Sequence, residues 1–298
     1  MFYLTEDWYA DEILSYADVF IRADRRADKA NENFYAQIYN EKRREFIAEE
    51  ESDILYRDPR AELEKLEKLA AASGISTDER ESRRQFAAEF KLLYAKRIED
   101  GKFYKFDEEL AGQRFDGYIE FFTAVYRRLP SDISERITDV RLLALGYASA
   151  EVKKLLKPYC AALRKKNRGL KSKARAETAA AFKRLAHAFD LTVYEGAFLT
   201  EIEEREDGVC LNFDGGNKIT VKNGKIKQVE KPVVYRYDED SPFSGWSMAE
   251  SAELRFRGGV FALNILLLNA DERGGIKVCR LTVEGTDVEE ICPIGGLF

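Results

Sequence analysis

The chain has 298 residues, of which 45% are hydrophobic and 34% are charged, and its formal net charge at pH 7 is −6. This composition excludes a disordered or fibrous chain and predicts a globular protein of one or two domains. The single histidine, His187, excludes histidine-rich metal clusters and leaves one imidazole for any acid–base chemistry.

Apolar side chains recur at helical spacing over the first 190 residues. With the capping residues, the spacing predicts helices over Thr5 to about Ile21, Asp28 to about Glu50, Pro59 to Ala72 and Thr77 to about Glu99. The clearest apolar stripe stops at Pro130 and consists of Phe115, Tyr118, Ile119, Phe122, Val125, Tyr126 and Leu129. A second stripe predicts one further helix, which contains Ile133, Ile137, Val140, Ala144 and Tyr147.

The next helix begins near Glu151, with Ser149 as its cap. We expect a kink or restart at Pro158, because proline lacks the amide hydrogen that the helix needs. A second break is expected at Asn167–Arg168–Gly169, and a last helix from about Lys171 to Phe189. His187 lies near the end of that helix, where a cation suits the helix dipole.

After residue 190 the apolar residues fall into short runs separated by glycine turns, which predicts strands. Asn223–Gly224 joins Lys218–Lys222 to Lys225–Val229 and predicts a β-hairpin within an antiparallel meander from about Ala197 to Tyr237. A second meander is expected over Ala252 to Arg257, Val260 to Leu268 and Ile276 to Glu284. Its middle strand is apolar on both faces, so we expect the helices or a second sheet to cover each face.

These patterns predict an α+β fold, in which a multi-helix N-terminal region precedes an antiparallel β-meander region. The expected domains are an all-helical domain over 1–190 and an antiparallel β domain over 191–298 that packs against it.

Three sequence features favour a cytoplasmic protein that has no membrane partner. The first thirty residues lack the apolar core of a signal peptide. The most apolar stretch, Val260 to Leu268, is far shorter than the roughly 20 residues of a transmembrane helix. The four cysteines contain no C-x-x-C pair, which fits a reducing compartment.

The usual signatures of catalysis and of cofactor binding are absent. The sequence contains neither G-x-x-x-x-G-K-[ST] nor G-x-S-x-G, and no zinc-ligand spacing. We therefore predict no cofactor and no metal, and favour a protein that is not an enzyme. The alternative is a hydrolase that uses carboxylates alone, drawn from the acid-rich segment 201–207. Strand alternation instead indicates a solvated strand end there, with Glu201 and Glu203 on one face and Glu204 on the other.

Charge is concentrated in one segment. Residues 151–190 contain 12 Lys and Arg but 3 Asp and Glu. The candidate partner-binding residues are Arg164, Lys165, Lys166, Arg168 and Lys171. They are interpreted as a solvated junction that neutralises acids of the same chain; the alternative is binding of nucleic acid or an acidic partner. The segment lacks interleaved aromatics, and because of the expected break at Gly169 its cations need not share one face.

Two segments resemble a bacterial family called domain of unknown function 4085. They are the start, Tyr3–Tyr9, and the region from Leu129–Pro130 through Ile137–Ser149. The resemblance implies a bacterial cytoplasmic origin and no mechanism. Within it, Asp139 and Arg141 lie two positions apart on an expected helix, where they do not face each other, so each is predicted to pair with another helix.

The sequence thus favours a non-enzymatic cytoplasmic binding or interaction protein. Its partner is unknown; another protein is preferred to nucleic acid.

Overall fold

The structure, a computed structural model, describes residues 2–53, 56–101, 104–185, 191–229, 246–271 and 275–291. The α+β class is confirmed, with helices first and antiparallel sheets after them. The helices are α1 Glu6–Ser15, α2 Ala17–Phe20, α3 Glu32–Glu51, α4 Pro59–Ala71, α5 Thr77–Leu93, α6 Ala95–Asp100, α7 Glu108–Tyr126, α8 Ser131–Ser134, α9 Val140–Ala144 and α10 Ala150–Phe182. The strands are β1 Arg22–Ala23, β2 Tyr147–Ala148, β3 Leu199–Arg205, β4 Gly208–Phe213, β5 Lys218–Lys222, β6 Lys225–Val229, β7 Trp246–Arg257, β8 Val260–Ala270, β9 Ile276–Gly285 and β10 Asp287–Ile291.

The described residues fall into two compact units. The first takes those within 1–40, 113–237 and 243–298, and the second takes those within 41–112. In the second unit α4 and α5 pack together, and the guanidinium of Arg83 donates a hydrogen bond to the carbonyl of Leu69 at 2.9 Å. The first unit combines α1, α10 and both large sheets, and it holds the candidate site.

Two four-stranded antiparallel sheets form the core of the first unit. Their strand orders are β10-β5-β4-β3 and β6-β9-β8-β7. Apolar side chains from both sheets meet between them, including the fully buried residues Leu199, Leu211, Ile219, Val221, Leu254, Leu263, Ile265, Leu267 and Val283. Two antiparallel sheets that share one apolar layer form a sandwich.

The predicted hairpin at Asn223–Gly224 is wrong. Asn223 does adopt a positive φ of 48°, as the turn signal requires, but the strands that it joins lie in different sheets. The strand β5 pairs with β4 and β10, whereas β6 pairs with β9. The link from β9 to β10 passes beside this turn, since Asn223 donates to the Thr286 hydroxyl at 2.9 Å. The turn is therefore a corner at which the chain changes sheets.

The expectation that β8 is covered on both faces is confirmed. Leu266 and Leu267 are both 0% exposed. Leu267 faces the other sheet, while Leu266 packs with Leu4, Trp8 and Ala174 of the helical layer. The helices thus cover one face of β8, and the second sheet covers the other.

Polar groups fasten the N-terminal segment to the helix-facing side of the same sheet. The carboxylate of Glu253 is completely buried and accepts the backbone amides of Tyr3 at 2.8 Å and Leu4 at 3.3 Å. Asn264, opposite Glu253 on β8, donates to the carbonyl of Leu4 at 3.4 Å and accepts from Thr282 at 3.2 Å. Burial raises the pKa of Glu253, and the nearby Arg255 opposes that shift.

Several helix predictions need correction. The helices expected over Thr5 to Ile21 and Thr77 to Glu99 are each divided, the first into α1 and α2 and the second into α5 and α6. The stripe from Ile133 to Tyr147 does not form one helix: it forms the short helices α8 and α9, and Tyr147 begins β2. The restart expected at Pro158 and the break expected at Asn167–Gly169 are also absent, because α10 is one helix of 33 residues, and the alternative of a kink at Pro158 stays a prediction. Pro158 lies on its exposed side, where water can satisfy the carbonyl that proline leaves without a donor. The predicted cap is confirmed, since Ser149 accepts the amide of Val152 at 3.1 Å.

Leu266→Asp and Leu267→Asp are each expected to lower the free energy of unfolding by roughly 3–5 kcal/mol, because either carboxylate is buried without a partner. Urea denaturation measures the loss. Val260→Asp, at a position that is 39% exposed, is the control and should cost less than about 1 kcal/mol. A wild-type midpoint for Leu266→Asp would contradict the helical cover.

Candidate functional site

The basic segment lies on α10, and its position on that helix decides what each cation contacts. One stripe of α10 is buried and consists of Val152, Leu156, Cys160, Leu163, Asn167, Ala174 and Ala181. These residues follow helical spacing and face α1, α2 and β7. Cations at the borders of this stripe reach neighbouring elements, and cations opposite it face solvent.

Three of the five predicted partner-binding residues are bound within the chain. Arg164 contacts Asp18 at 2.7 Å and the carbonyl of Ser15, and Lys166 contacts Asp11 at 2.5 Å. Lys171 contacts Glu12 at 3.1 Å. For these three, the interpretation as neutralisation of the chain's own acids agrees with the structure.

Glu12 of α1 also takes part in a buried polar contact between α1 and α10. Asn167 is 1% exposed and donates to the second carboxylate oxygen of Glu12 at 2.8 Å. The ammonium of Lys171 lies 5.1 Å from the ring centroid of Trp8, within the range of a cation–π contact. Glu12 therefore bridges Asn167 and Lys171 across the position where the sequence predicts a helix break.

Five of the seven remaining cations of α10 form what we call the basic face, defined as Lys154, Lys157, Lys165, Arg168 and Arg175. All five are exposed, and none forms a salt bridge among the residues that the structure describes. At 3.6 residues per turn they fall within an arc of about 80°, and at 1.5 Å per residue they extend over about 30 Å. The expected division of the basic segment between two helices is wrong, because α10 is continuous, but the five predicted cations do not share one face. Lys165 and Arg168 are the predicted residues that belong to this face.

Acids of the 201–207 segment are held at a strand end. The side-chain amide of Asn212 donates to Glu201 at 3.0 Å and to Glu203 at 2.7 Å, which confirms that these two share a face. Hydrogen bonds from Arg205 lower the pKa of Glu203. No group of three or more potential metal ligands occurs within the described parts of the chain.

The predicted partners of Asp139 and Arg141 need correction, because these residues bind each other. Asp139 caps α9 in an extended conformation, so its carboxylate accepts both the amide of Arg141 at 2.9 Å and its guanidinium at 2.7 Å. The rule against i,i+2 contacts holds only inside a helix. Arg141 also contacts Glu32 of α3 at 2.6 Å, so one of the expected inter-helix pairs does form.

A cavity of about 310 Å³ lies beside α10, between this helix, the N-terminal segment and β7. Lys171 and Arg175 line it from the basic segment, Glu250 from β7, and Glu195 from just after the 3-10 helix Leu191–Tyr194. Of the two acids, Glu250 belongs to a strand of a sheet and Glu195 does not. The carboxylate hydrolase stays a prediction, as does the role given to His187, which lies outside the described residues.

No family model, curated protein or solved structure matches the chain. The resemblance to domain of unknown function 4085 therefore stays a prediction. Among the described helices, none is long and apolar enough to cross a membrane.

A double-mutant cycle tests the pair between α2 and α10. Hydrogen bonding from Arg164 lowers the pKa of Asp18, so the pair stabilises the fold above the unfolded-state pKa, about 3.9, and the contribution is lost as pH falls through the folded pKa. Arg164→Gln and Asp18→Asn should show a favourable coupling energy at pH 7 that shrinks below about pH 4. Lys165→Gln paired with Asp18→Asn is the control and should show no coupling. A coupling energy that does not change with pH would contradict the assignment.

Proposed function

We propose that the chain is a non-enzymatic binding protein that contacts an acidic protein partner through the basic face of α10. One observation supports this most strongly: five exposed cations share one side of a continuous helix, while acids of α1 and α2 bind three neighbouring cations. Between residues 152 and 176 the chain contains no Asp or Glu. Apart from Glu151, which lies three residues before Lys154 and contacts Arg136, no acid of α10 lies at i±3 or i±4 from a cation of the basic face.

The chemistry of the basic face favours carboxylates over a polynucleotide. The aromatic residue of α10 between Lys154 and Arg175, Tyr159, packs against the apolar cluster under the helix, so the basic face offers no stacking surface for unpaired bases. The net charge of −6 also repels a long polyanion outside the reach of this face. An acidic protein surface needs contacts only along about 30 Å of helix, which the basic face supplies.

We further infer that the protein works in a reducing compartment, the cytoplasm. Support comes from Cys160, Cys210 and Cys279, which are buried free thiols. Burial raises the pKa of the Cys160 thiol, which keeps it in its less reactive protonated form. The fourth cysteine, Cys292, lies outside the described residues.

Fluorescence anisotropy tests the partner class with three labelled probes, an oligoglutamate peptide, duplex DNA and single-stranded RNA. We expect the wild type to bind oligoglutamate more tightly than either nucleic acid, with an affinity that falls as salt is added. The triple variant Lys157→Gln, Lys165→Gln, Arg168→Gln should bind about tenfold more weakly, at roughly 0.5 kcal/mol per exposed charge pair.

The matched control removes three other exposed cations and therefore has the same net charge as the first variant. Its substitutions are Lys29→Gln, Lys91→Gln and Lys225→Gln. If both triple variants lose affinity equally, the interaction reflects net charge and the basic face is not a site. If DNA or RNA binds more tightly than oligoglutamate, the partner is a nucleic acid and not an acidic protein. Failure to bind any of the three probes would overturn the proposal.

A further inference from the structure

The cavity beside α10 is lined by charges of both signs. Lys171 and Arg175 line the wall that α10 contributes, and Glu250 and Glu195 line the wall that β7 and the residue after Leu191–Tyr194 contribute. Among the described residues, Arg175, Glu195 and Glu250 form no salt bridge, although Lys171 and Glu195 are close enough to Glu250 to influence its pKa. One wall is therefore positively charged and the other negatively charged, and no salt bridge joins Arg175 to Glu195 or Glu250.

A β-bulge directs Glu250 to this position. The register of β7 with β8 shifts between Ala249 and Ser251, so Glu250 is an extra residue without a partner in the ladder. The amide of Gly196 donates to the carbonyl of Ala249 at 2.7 Å, and the amide of Ala249 donates to the carbonyl of Ala197 at 2.8 Å. These bonds fix Glu195 beside Glu250. Burial raises the pKa of Glu250, and Lys171 opposes this shift.

The rest of the cavity is mostly apolar, with side chains of Leu4, Trp8, Phe182 and Leu191 along it. Its volume is at the lower end of the range for small-molecule sites. An apolar surface flanked by both signs of charge suits a small molecule that carries an apolar group between or beside two opposite charges.

We infer that this cavity binds a small zwitterion of the amino-acid type, whose ammonium group faces Glu250 and Glu195 and whose carboxylate faces Lys171 and Arg175. A simple anion would leave the two glutamates without a counter-charge, and a simple cation would leave Arg175 without one. The apolar side chain of the ligand would contact Trp8 and Phe182. Arg175 belongs to both sites, but this inference does not depend on the acidic protein partner, because Lys171, Glu195 and Glu250 are not part of the basic face.

Thermal denaturation with each of the twenty L-amino acids, added singly, tests the inference. At roughly ten times its Kd, a bound amino acid should raise the Tm by about 3 °C. The N-acetyl and the carboxamide derivatives of that amino acid should each give less than half of the shift, because each lacks one of the two charges. If no amino acid raises the Tm of the wild type, the inference is wrong.

Variants of the two walls locate the site. Glu250→Gln and Arg175→Gln should each reduce the shift at a fixed amino-acid concentration by at least half. The controls are Glu204→Gln, on the exposed end of β3, and Lys173→Gln, which lies on α10 but does not line the cavity. Both controls should keep the wild-type shift. An undiminished shift in both wall variants would place the ligand elsewhere and overturn the assignment. The oligoglutamate experiment does not use these variants, so either proposal can fail alone.

Discussion

The contact between α1 and α10 is the interaction on which the rest of the first unit depends. Between residues 152 and 176, α10 carries ten cations and no acid. Like charges three or four residues apart destabilise an isolated helix by a few tenths of a kcal/mol per pair. Asp11 and Glu12 of α1, with Asp18 of α2, supply the missing opposite charges. The bond from Asn167 to Glu12 adds a buried contact at the point where the helix is weakest.

Fixing α10 in this way also determines what lies on either side of it. Toward the sheet, Ala174 meets Leu4, Trp8 and Leu266 in one apolar cluster that covers β8. Toward solvent, the five cations of the basic face lie on a single side of the helix. Between these two sides lies the cavity, where Lys171 contacts both Glu12 and the ring of Trp8. The core, the basic face and the cavity are thus consequences of one helix placement.

Features that depend on local chemistry could be predicted from the sequence. The cap at Ser149, the two covered faces of β8 and the shared face of Glu201 and Glu203 follow from spacing and side-chain type. A further local signal was missed. At Asp24–Arg26, Asp58–Arg60 and Asp139–Arg141 an aspartate is followed two residues later by arginine, and its carboxylate accepts both the amide and the guanidinium of that arginine. All three aspartates are helix N-caps, whereas Asp78, two residues before Arg80, lies inside the first turn of α5 and makes no such contact. The spacing therefore favours this contact where the aspartate is the N-cap, as at Asp139.

Features that depend on distant contacts could not be predicted. The sequence around Gly169 does not indicate that Glu12, which lies more than 150 residues earlier, stabilises the helix there. The turn at Asn223–Gly224 has the local geometry of a hairpin, yet pairing of β5 with β10 and of β6 with β9 sends its strands to different sheets. The cavity likewise depends on a bulge at Glu250 and on backbone hydrogen bonds that join residues 196 and 197 to Ala249. No sequence pattern predicts either feature.

Hydrogen exchange of the backbone amides along α10 tests the central claim most directly. If α1 holds α10 as one helix, the amides of Asn167, Arg168 and Gly169 should exchange at least about a thousandfold more slowly than in an unfolded chain, like those of the turns on either side. Exchange of these three amides at the unfolded-chain rate, between protected flanking turns, would show that the helix is broken at Gly169. The continuous basic face would then not exist.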